Sequence, residues 1–356
     1  MVCVAAFIIL CFASVVVGIL SIFRRDIGKK YLKIFKKSWG CVGKKVTFQK
    51  CDTNFKDDVK NTILRKVVIK KPKLVKPLSI TIEVVSVLIV IITAWSLVES
   101  VKAGLALWTL GTCNVEHPSS CALSGGCSID GDDDKNAFVR WFEDWGEIFS
   151  AVPDKFRSWE VSEFDFVTIT ASDNGEDKPG AIDIMDPGCE VCLRSFKTQL
   201  ESGFFEKYNV KIVPYPILDG DGNYKFVNSK LITSYILAVE QQGRPAESGE
   251  DNDSSAVNIF RYIFLDKEKI DEIPHSYQDL FNNWYNAEQA EAKLKEWLAK
   301  DGYSEAEISE IEQRAKSEQI SQQLEKNDNL IKELHIKSIP SMIYDGRKHA
   351  GEFKEN

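Results

Sequence analysis

The stretch that decides the fold is residues 181–192, which read AIDIMDPGCEVC. A short apolar run ends at a Pro-Gly break, and two cysteines follow with two residues between them. Leu193, Phe196 and Leu200 then recur at helical spacing. A strand that delivers Cys189 to the start of a helix places its sulfur among unpaired N–H groups at the positive end of the helix dipole. Such a position favours the thiolate, so the stretch predicts thiol-disulfide chemistry.

The spacing of Cys189 and Cys192 also fits half of a zinc site or a structural clip. Sulfurs one helical turn apart are near enough to form a disulfide with each other or to release a mixed disulfide. A zinc site needs two more ligands, whereas the sequence holds no second C-x-x-C and its four histidines are scattered. We therefore interpret the pair as redox-active, with no metal and no other cofactor.

Two apolar segments precede this region, at residues 2–23 and 78–98, and each is long enough to cross a bilayer as a helix. Arg24 and Arg25 follow the first segment and nothing basic precedes it, which argues against a cleaved signal peptide. We therefore predict transmembrane helices at residues 1–23 and 78–98, so that the protein crosses the cell membrane twice.

The loop between these spans, residues 24–77, is strongly basic. It holds 18 lysines and arginines against 4 aspartates, although the whole chain has a net charge of −8. The positive-inside tendency places this loop in the cytoplasm and everything after the second span outside, where disulfides persist. The loop is either a solvated connector or a segment attracted to the anionic lipid of the bilayer, and both roles are compatible. We predict no nucleic acid partner.

An extracytoplasmic connector is predicted at residues 99–160. Its cysteines, Cys113, Cys121 and Cys127, suggest one structural disulfide and one thiol left over, without indicating which two are bonded. Residues 136–151 repeat apolar side chains on one broad face of a helix. The charges of this helix are mainly acidic and would be repelled by anionic lipid. We therefore expect its apolar face to pack against the globular domain.

The rest of the chain has an alternating pattern of strands and helices. Strands are predicted at residues 164–170, 181–186 and 209–218, and a helix at 192–208 joins the last two into a β-α-β unit. A helix at 230–242 and a polar linker at 246–255 follow. Residues 258–333 have an almost entirely helical pattern, which includes a capping box at Ser304 and Glu307. The chain then returns to a hairpin, with strands at 341–344 and 347–351.

Over roughly residues 164–351 the chain resembles the DsbA-type, thioredoxin-fold thiol-disulfide oxidoreductases. The resemblance rests on the strand that ends in Cys-Glu-Val-Cys, on the helical region after the third strand, and on residues 334–341 (LHIKSIPS) before the hairpin. It implies an α/β, thioredoxin-like domain at residues 161–356, with a helical insertion at about 229–335, preceded by the two transmembrane helices.

The resemblance also implies roles for individual residues. Pro340 is expected to be cis and to face the redox pair, and Ile339 to pair its backbone with a bound substrate; an Ile-Pro bond can adopt the cis form. Asp183 matches a buried carboxylate that acts as a proton relay for the resolving thiol, although a solvent-facing strand residue is the alternative. Glu190 and Val191 stand where strong oxidants of the family carry a histidine. A carboxylate beside the Cys189 thiolate opposes its charge, which predicts a weaker oxidant.

Together these patterns predict a two-pass membrane enzyme that exchanges disulfides with cysteine-containing extracytoplasmic proteins through Cys189 and Cys192. Its own redox partner would be a quinone-linked membrane oxidase or an electron-importing reductase, and the direction of electron flow depends on which. Two alternatives stay open: a non-enzymatic membrane-anchored interaction protein with a thioredoxin-like fold, and a dedicated reductase for cytochrome c maturation.

Overall fold

The structure, a computed structural model, describes residues 75–121, 126–129, 136–175, 177–243 and 254–354. The predicted first transmembrane helix, nearly all of the basic loop and most of the linker at 246–255 lie outside these ranges. The chain divides into two compact units, Met1–Lys102 and Ala103–Asn356. All of the residues predicted for the redox site belong to the second unit.

One long helix, α1 (Val75–Leu110), begins in the first unit and ends in the second. Its segment Ile91–Leu110 is the single described helix that, by length and composition, fits a membrane span. The span predicted at residues 78–98 coincides with this segment only over residues 91–98. The helix continues past that range, where Glu99 and Lys102 form an ion pair across one turn at 4.0 Å and apolar residues resume after them.

A five-stranded mixed sheet lies at the centre of the second unit. Its strands, in spatial order, are β2 (Ile169–Thr170), β4 (Asn209–Pro214), β3 (Gly180–Met185), β8 (Ser341–Tyr344) and β9 (Arg347–Ala350). Strands β3 and β4 are parallel, and every other neighbouring pair is antiparallel. The predicted β-α-β unit and the final hairpin are both present, in the arrangement that the thioredoxin-like resemblance implies.

The connection between β3 and β4 differs from the single helix predicted at residues 192–208. It consists of α3 (Glu190–Glu201) and a short α4 (Phe204–Lys207). The break falls at Gly203, whose φ of 70° is a left-handed conformation that glycine adopts readily. The two helices together keep the crossover that a parallel strand pair requires.

The strand predicted at residues 164–170 is wrong except for its last two residues, which form β2. The side chain of Asn327 replaces a strand partner for Val167. It accepts the Val167 N–H at 2.8 Å and donates to the Val167 carbonyl at 2.9 Å. Because these backbone groups are satisfied by a buried side chain, they need no sheet ladder.

Helices occupy most of the described residues in the range predicted for the insertion. Its longer helices are α5 (Ser229–Glu240), α6 (Ser255–Leu265), α8 (Ala287–Lys300), α9 (Glu305–Ala315) and α10 (Glu318–Glu333). The predicted capping box starts α9, since Ser304 Oγ accepts the Glu307 N–H and Glu307 accepts the Ser304 N–H. The short α7 (Tyr277–Asp279) and a π-helical turn at Leu280–Trp284 precede α8.

The prediction of an almost entirely helical insertion is wrong at one hairpin, β5 (Lys267–Ile270) with β6 (Ile273–Ser276). Its two-residue turn holds Asp271 and Glu272, both with positive φ, as a type I′ turn requires. No residue of these strands is buried. A half-buried strand reveals itself by apolar alternation, and this hairpin has no buried face to produce that pattern.

Helix α2 (Ala137–Ser150) is present where it was predicted, with Asn136 as its N-cap. Two polar contacts join it to the domain, since Glu147 pairs with Lys337 at 2.6 Å and Ser150 bonds to His335, while Ile148 packs in a separate cluster with Ala106 and Leu110. Ile148 is buried, but Phe138, Phe142 and Phe149 are more than half exposed. The expectation that the domain covers the apolar face of this helix is therefore wrong within the described residues.

Candidate redox site

Cys189 is the N-cap residue of α3 and is completely buried. A tight turn delivers it there: the Cys189 N–H donates to the Asp186 carbonyl at 3.1 Å, and the Gly188 N–H donates to Asp186 Oδ1 at 2.7 Å. The turn needs glycine at position 188, because a Cβ there would lie 2.5 Å from the Cβ of Phe226. The Pro-Gly break in the sequence thus places the sulfur at the positive end of the helix.

Cys192 lies one turn further along α3 as a buried, free thiol. Burial raises the pKa of this thiol well above its ordinary value, and the charges of Asp186 and Asp183 raise it further, against a hydrogen bond with the Asp186 backbone. The protonated thiol is therefore the stable form at neutral pH. A group that accepts its proton is needed before this sulfur can attack.

The loop that precedes β8 lies against Cys189. The Ile339-Pro340 peptide bond is cis, as the resemblance implies, and the Ile339 carbonyl oxygen is 3.9 Å from Cys189 Sγ. Ser341 Oγ closes the loop by donating to the Ser338 carbonyl at 2.7 Å. The structure therefore brings Ile339, one of the two loop residues predicted from the sequence, to the first cysteine of the pair.

Asp183 is completely buried on the central strand, so the alternative of a solvent-facing residue is wrong. Its Oδ2 accepts a hydrogen bond from Gln199 Nε2 at 2.6 Å, while Oδ1 has no hydrogen-bond partner among the described residues. Burial raises the pKa of Asp183 to about 7, against the lowering by Gln199. Its charge also raises the pKa of the Cys192 thiol.

A second buried carboxylate, Asp186, was not predicted from the sequence. One oxygen accepts the Gly188 N–H and the hydroxyl of Ser229, and the other accepts the Ile217 N–H at 2.7 Å. Burial raises the pKa of Asp186 to about 6, and these hydrogen bonds and nearby Lys225 lower it. The signal that could have revealed it is an aspartate directly before a Pro-Gly turn, where its side chain bonds to backbone two residues later.

The two residues between the cysteines face different surroundings. Val191 is half-buried and packs against the core. The Glu190 side chain is 80% exposed and forms an ion pair with Arg194 at 3.1 Å. The role of Glu190 in tuning the site stays a prediction, and its position on the exposed side of α3 bears on how large the effect should be.

We expect Glu190→Gln to lower the pKa of the Cys189 thiol only slightly, because solvent and Arg194 already screen this carboxylate. The matched variant is Arg194→Gln, which removes the screening cation and should raise the same pKa slightly. Both are measured by the pH dependence of Cys189 alkylation in reduced protein. If the pKa of Cys189 falls by a full pH unit in Glu190→Gln, this expectation is contradicted and the Glu190 charge acts strongly on the sulfur.

The disulfide on Cys189 is the largest difference from the sequence-based expectation. Cys189 is bonded to Cys127 of the connector, not to Cys192, and the Cα atoms of this pair are 6.2 Å apart. Cys113 and Cys121 form the connector's own disulfide. Cys127 is thus the cysteine left over from that pair, and β1 (Cys127–Ser128) brings it within bonding distance of Cys189.

Comparison with known proteins gave matches among solved structures. No family model matches the chain, and no curated protein matches it. Among solved structures, the thiol-disulfide exchange protein α-DsbA2 from Wolbachia pipientis is 16% identical, with 62% of this chain and 94% of that chain covered and a TM-score of 0.35. The thiol-disulfide oxidoreductase MdbA from Corynebacterium matruchotii is 14% identical, with coverages of 54% and 85% and a TM-score of 0.36.

A periplasmic thioredoxin-like protein from Salmonella enterica serovar Typhimurium is 14% identical, with coverages of 53% and 83% and a TM-score of 0.29. The three proteins are described as a thiol-disulfide exchange protein, a thiol-disulfide oxidoreductase and a thioredoxin-like protein.

Proposed function

We propose that this chain is a membrane-anchored, extracytoplasmic thiol-disulfide oxidoreductase that exchanges disulfides with cysteine-containing proteins through Cys189 and Cys192. One arrangement carries the proposal: Cys189 caps the first turn of α3 beside the Ile339-Pro340 loop, with the buried thiol of Cys192 one turn behind it. The anchoring part is supported by the apolar segment Ile91–Leu110 and by the charge bias of the loop before it.

In the oxidising direction, a client thiolate attacks Cys189 Sγ of a Cys189–Cys192 disulfide. The bond between the two cysteines breaks, Cys192 leaves as a thiolate and is protonated, and a mixed disulfide joins Cys189 to the client. The client's second thiolate then attacks the client's first sulfur in the mixed disulfide, which forms the client disulfide and releases Cys189. The client loses two electrons and the pair gains them. A reductase runs the same steps in reverse.

Asp183 is the group that we assign to proton transfer at Cys192. A buried thiol with a raised pKa has no ready access to water. Asp183 is a buried carboxylate whose charge acts on this thiol, and its pKa of about 7 lets it hold or release a proton near neutral pH. Its Oδ1 is free of other described hydrogen bonds. The Asp186 carboxylate already accepts three hydrogen bonds that fix the turn, so we assign it a structural role.

Electron flow is set by the potential of the pair against its partner, either a quinone-linked membrane oxidase or an electron-importing membrane protein. One observation favours the non-enzymatic alternative instead. Cys189 is buried and already bonded to Cys127, as a cysteine in a purely structural disulfide would be. The experiment must therefore test whether Cys189 exchanges its disulfide at all.

The test uses the full chain in detergent, oxidised and then mixed with an excess of a peptide that carries two reduced cysteines. We expect oxidised peptide to appear in proportion to the protein, and Cys189→Ser to abolish it. The control is Cys113→Ser/Cys121→Ser, which removes the other disulfide and should leave the reaction intact. Equal peptide oxidation by wild type and Cys189→Ser would refute the proposed function. So would an oxidised wild type that fails to oxidise the peptide and, once reduced, also fails to reduce the peptide's disulfide.

A further inference from the structure

We propose that Cys127 is a third redox-active cysteine, one that holds Cys189 in an internal disulfide and exchanges it with Cys192. The inference rests on the proposed function, because it adds a residue to the same reaction. The evidence comes from four consecutive residues of the connector, 126–129, each of which makes a different contact beside the redox site.

The backbone of this segment pairs with the loop beside the redox cysteines. Strand β1 is antiparallel to β7 (Ser338–Ile339), with Cys127 opposite Ile339 and Ser128 opposite Ser338. The next residue, Ile129, donates its N–H to the Lys337 carbonyl at 2.9 Å. The connector therefore lies as an extended strand along the residues before Pro340, with its cysteine at Cys189.

The side chains of the segment fit as closely as its backbone. A Cβ at Gly126 would lie 2.6 Å from the Ile339 carbonyl oxygen, so this approach requires glycine. Ser128 is buried, and Lys225 Nζ donates to its Oγ at 3.0 Å and to its carbonyl at 3.3 Å. A chance contact between Cys127 and Cys189 would require neither Gly126 before the cysteine nor the buried Ser128, bound by Lys225, after it. The fit of these neighbours indicates that the segment is built to lie at this site.

The exchange step needs no external oxidant or reductant. The Cys192 thiol gives its proton to a buried carboxylate, which we assign to Asp183, and its thiolate attacks Cys189 Sγ. The Cys189–Cys192 bond forms as the Cys127–Cys189 bond breaks, and Cys127 leaves as a thiolate that takes a proton from water. The reverse attack by Cys127 restores the internal disulfide. In that capped state Cys189 is fully buried, and Ile339 is already paired, so a client has no access to either.

The test maps disulfides in the full chain in detergent, equilibrated with glutathione buffers, quenched with acid, alkylated and analysed by mass spectrometry of linked peptides. We expect wild type to show both the Cys127–Cys189 and the Cys189–Cys192 linkages, and Cys192→Ser to show only the first. Gly126→Ala keeps all three cysteines but crowds the Ile339 carbonyl, and should lower the ratio of the first linkage to the second by about tenfold. Gly146→Ala, at a helical glycine with open space around it, is the matched control and should leave the ratio unchanged.

The outcomes separate this inference from the proposed function. If wild type shows the Cys189–Cys192 linkage and never the Cys127–Cys189 linkage, Cys127 has no redox role and the function stands. If the Cys127–Cys189 linkage persists without exchange while Cys127→Ser protein oxidises the dithiol peptide, Cys127 is a static clip and only the inference fails. If Cys127→Ser protein exchanges no disulfide with peptide in either direction, both fail. Equal ratios in Gly126→Ala and Gly146→Ala would overturn the role of the docked strand.

Discussion

Cys127→Ser/Cys192→Ser protein is expected to accumulate mixed disulfides with client proteins, whereas Cys192→Ser alone is expected to accumulate few. Removing Cys192 takes away the sulfur that resolves a mixed disulfide on Cys189, which by itself would favour trapping. Cys127 is held beside Cys189 on the same chain, however, and competes for it. A tethered thiol acts at a millimolar effective concentration, and tethering of this kind gains a factor of about 10²–10⁴, so the double variant should trap on the order of 100-fold more.

The measurement is made on membranes that contain the full chain, quenched with acid and alkylated, by counting client adducts on non-reducing gels and identifying the cysteine that carries them. Cys127→Ser/Cys189→Ser is the matched control and should trap nothing, since it lacks the attacking sulfur. Equal trapping by Cys192→Ser with and without Cys127 would show that Cys127 does not compete for Cys189. Adducts on Cys192 in the control would show that the wrong cysteine was assigned as the attacking one.

The parts of the fold that were predicted correctly are those that local sequence determines. Strand β3, the turn at Gly188 and the start of α3 follow from an apolar run, a Pro-Gly break and helical spacing within about twenty residues. The hairpin of β8 and β9 follows from its Asp345-Gly346 turn in the same way. The resemblance added what local pattern could not, namely the cis bond before Pro340 and the burial of Asp183.

The parts that were missed depend on contacts between residues far apart in sequence. Val167 does not lie in the predicted strand, because its backbone is hydrogen-bonded to the side chain of Asn327, which is 160 residues away in sequence. Asp186 is buried because its carboxylate accepts hydrogen bonds from the Ile217 N–H and the Ser229 hydroxyl, which lie 31 and 43 residues later in the sequence. Neither contact leaves a periodic signal, since each involves a single side chain.

The same reasoning explains why the partner of Cys189 was not predicted. The C-x-x-C spacing fixes how far Cys192 lies from Cys189, but the strand that carries Cys127 is two residues long and comes from 62 residues earlier in the chain. So short a strand has no alternation to recognise. Counting cysteines did indicate that one of the three in the connector had no partner there. The structure shows that this cysteine is Cys127 and that it is bonded to Cys189.

The free energy of unfolding of the second unit is expected to depend on pH through Asp183. Burial raises the pKa of this group from 3.8 in its ordinary state to about 7 in the fold. The folded state therefore prefers the protonated acid, and the stability that this preference gives is complete below about pH 4. It is lost as the pH rises towards 7, by up to about 4 kcal/mol, because the pKa is 3.8 in the unfolded chain and about 7 in the fold.

Asp183→Asn should accordingly be as stable as wild type near pH 4 and more stable by several kcal/mol at pH 8, because a neutral amide keeps an oxygen for Gln199 and carries no buried charge. Unfolding of the full chain in urea is followed by brief alkylation of the buried Cys192 thiol at one common pH, quantified by mass spectrometry. Asp186→Asn is the contrasting variant. In this variant the new amide N–H₂ faces a group that is itself a hydrogen-bond donor, at Gly188, Ser229 or Ile217. The variant protein should therefore be less stable than wild type across the whole pH range. If Asp183→Asn keeps the pH dependence of wild type, Asp183 does not titrate near neutral pH and is not the proton acceptor for Cys192.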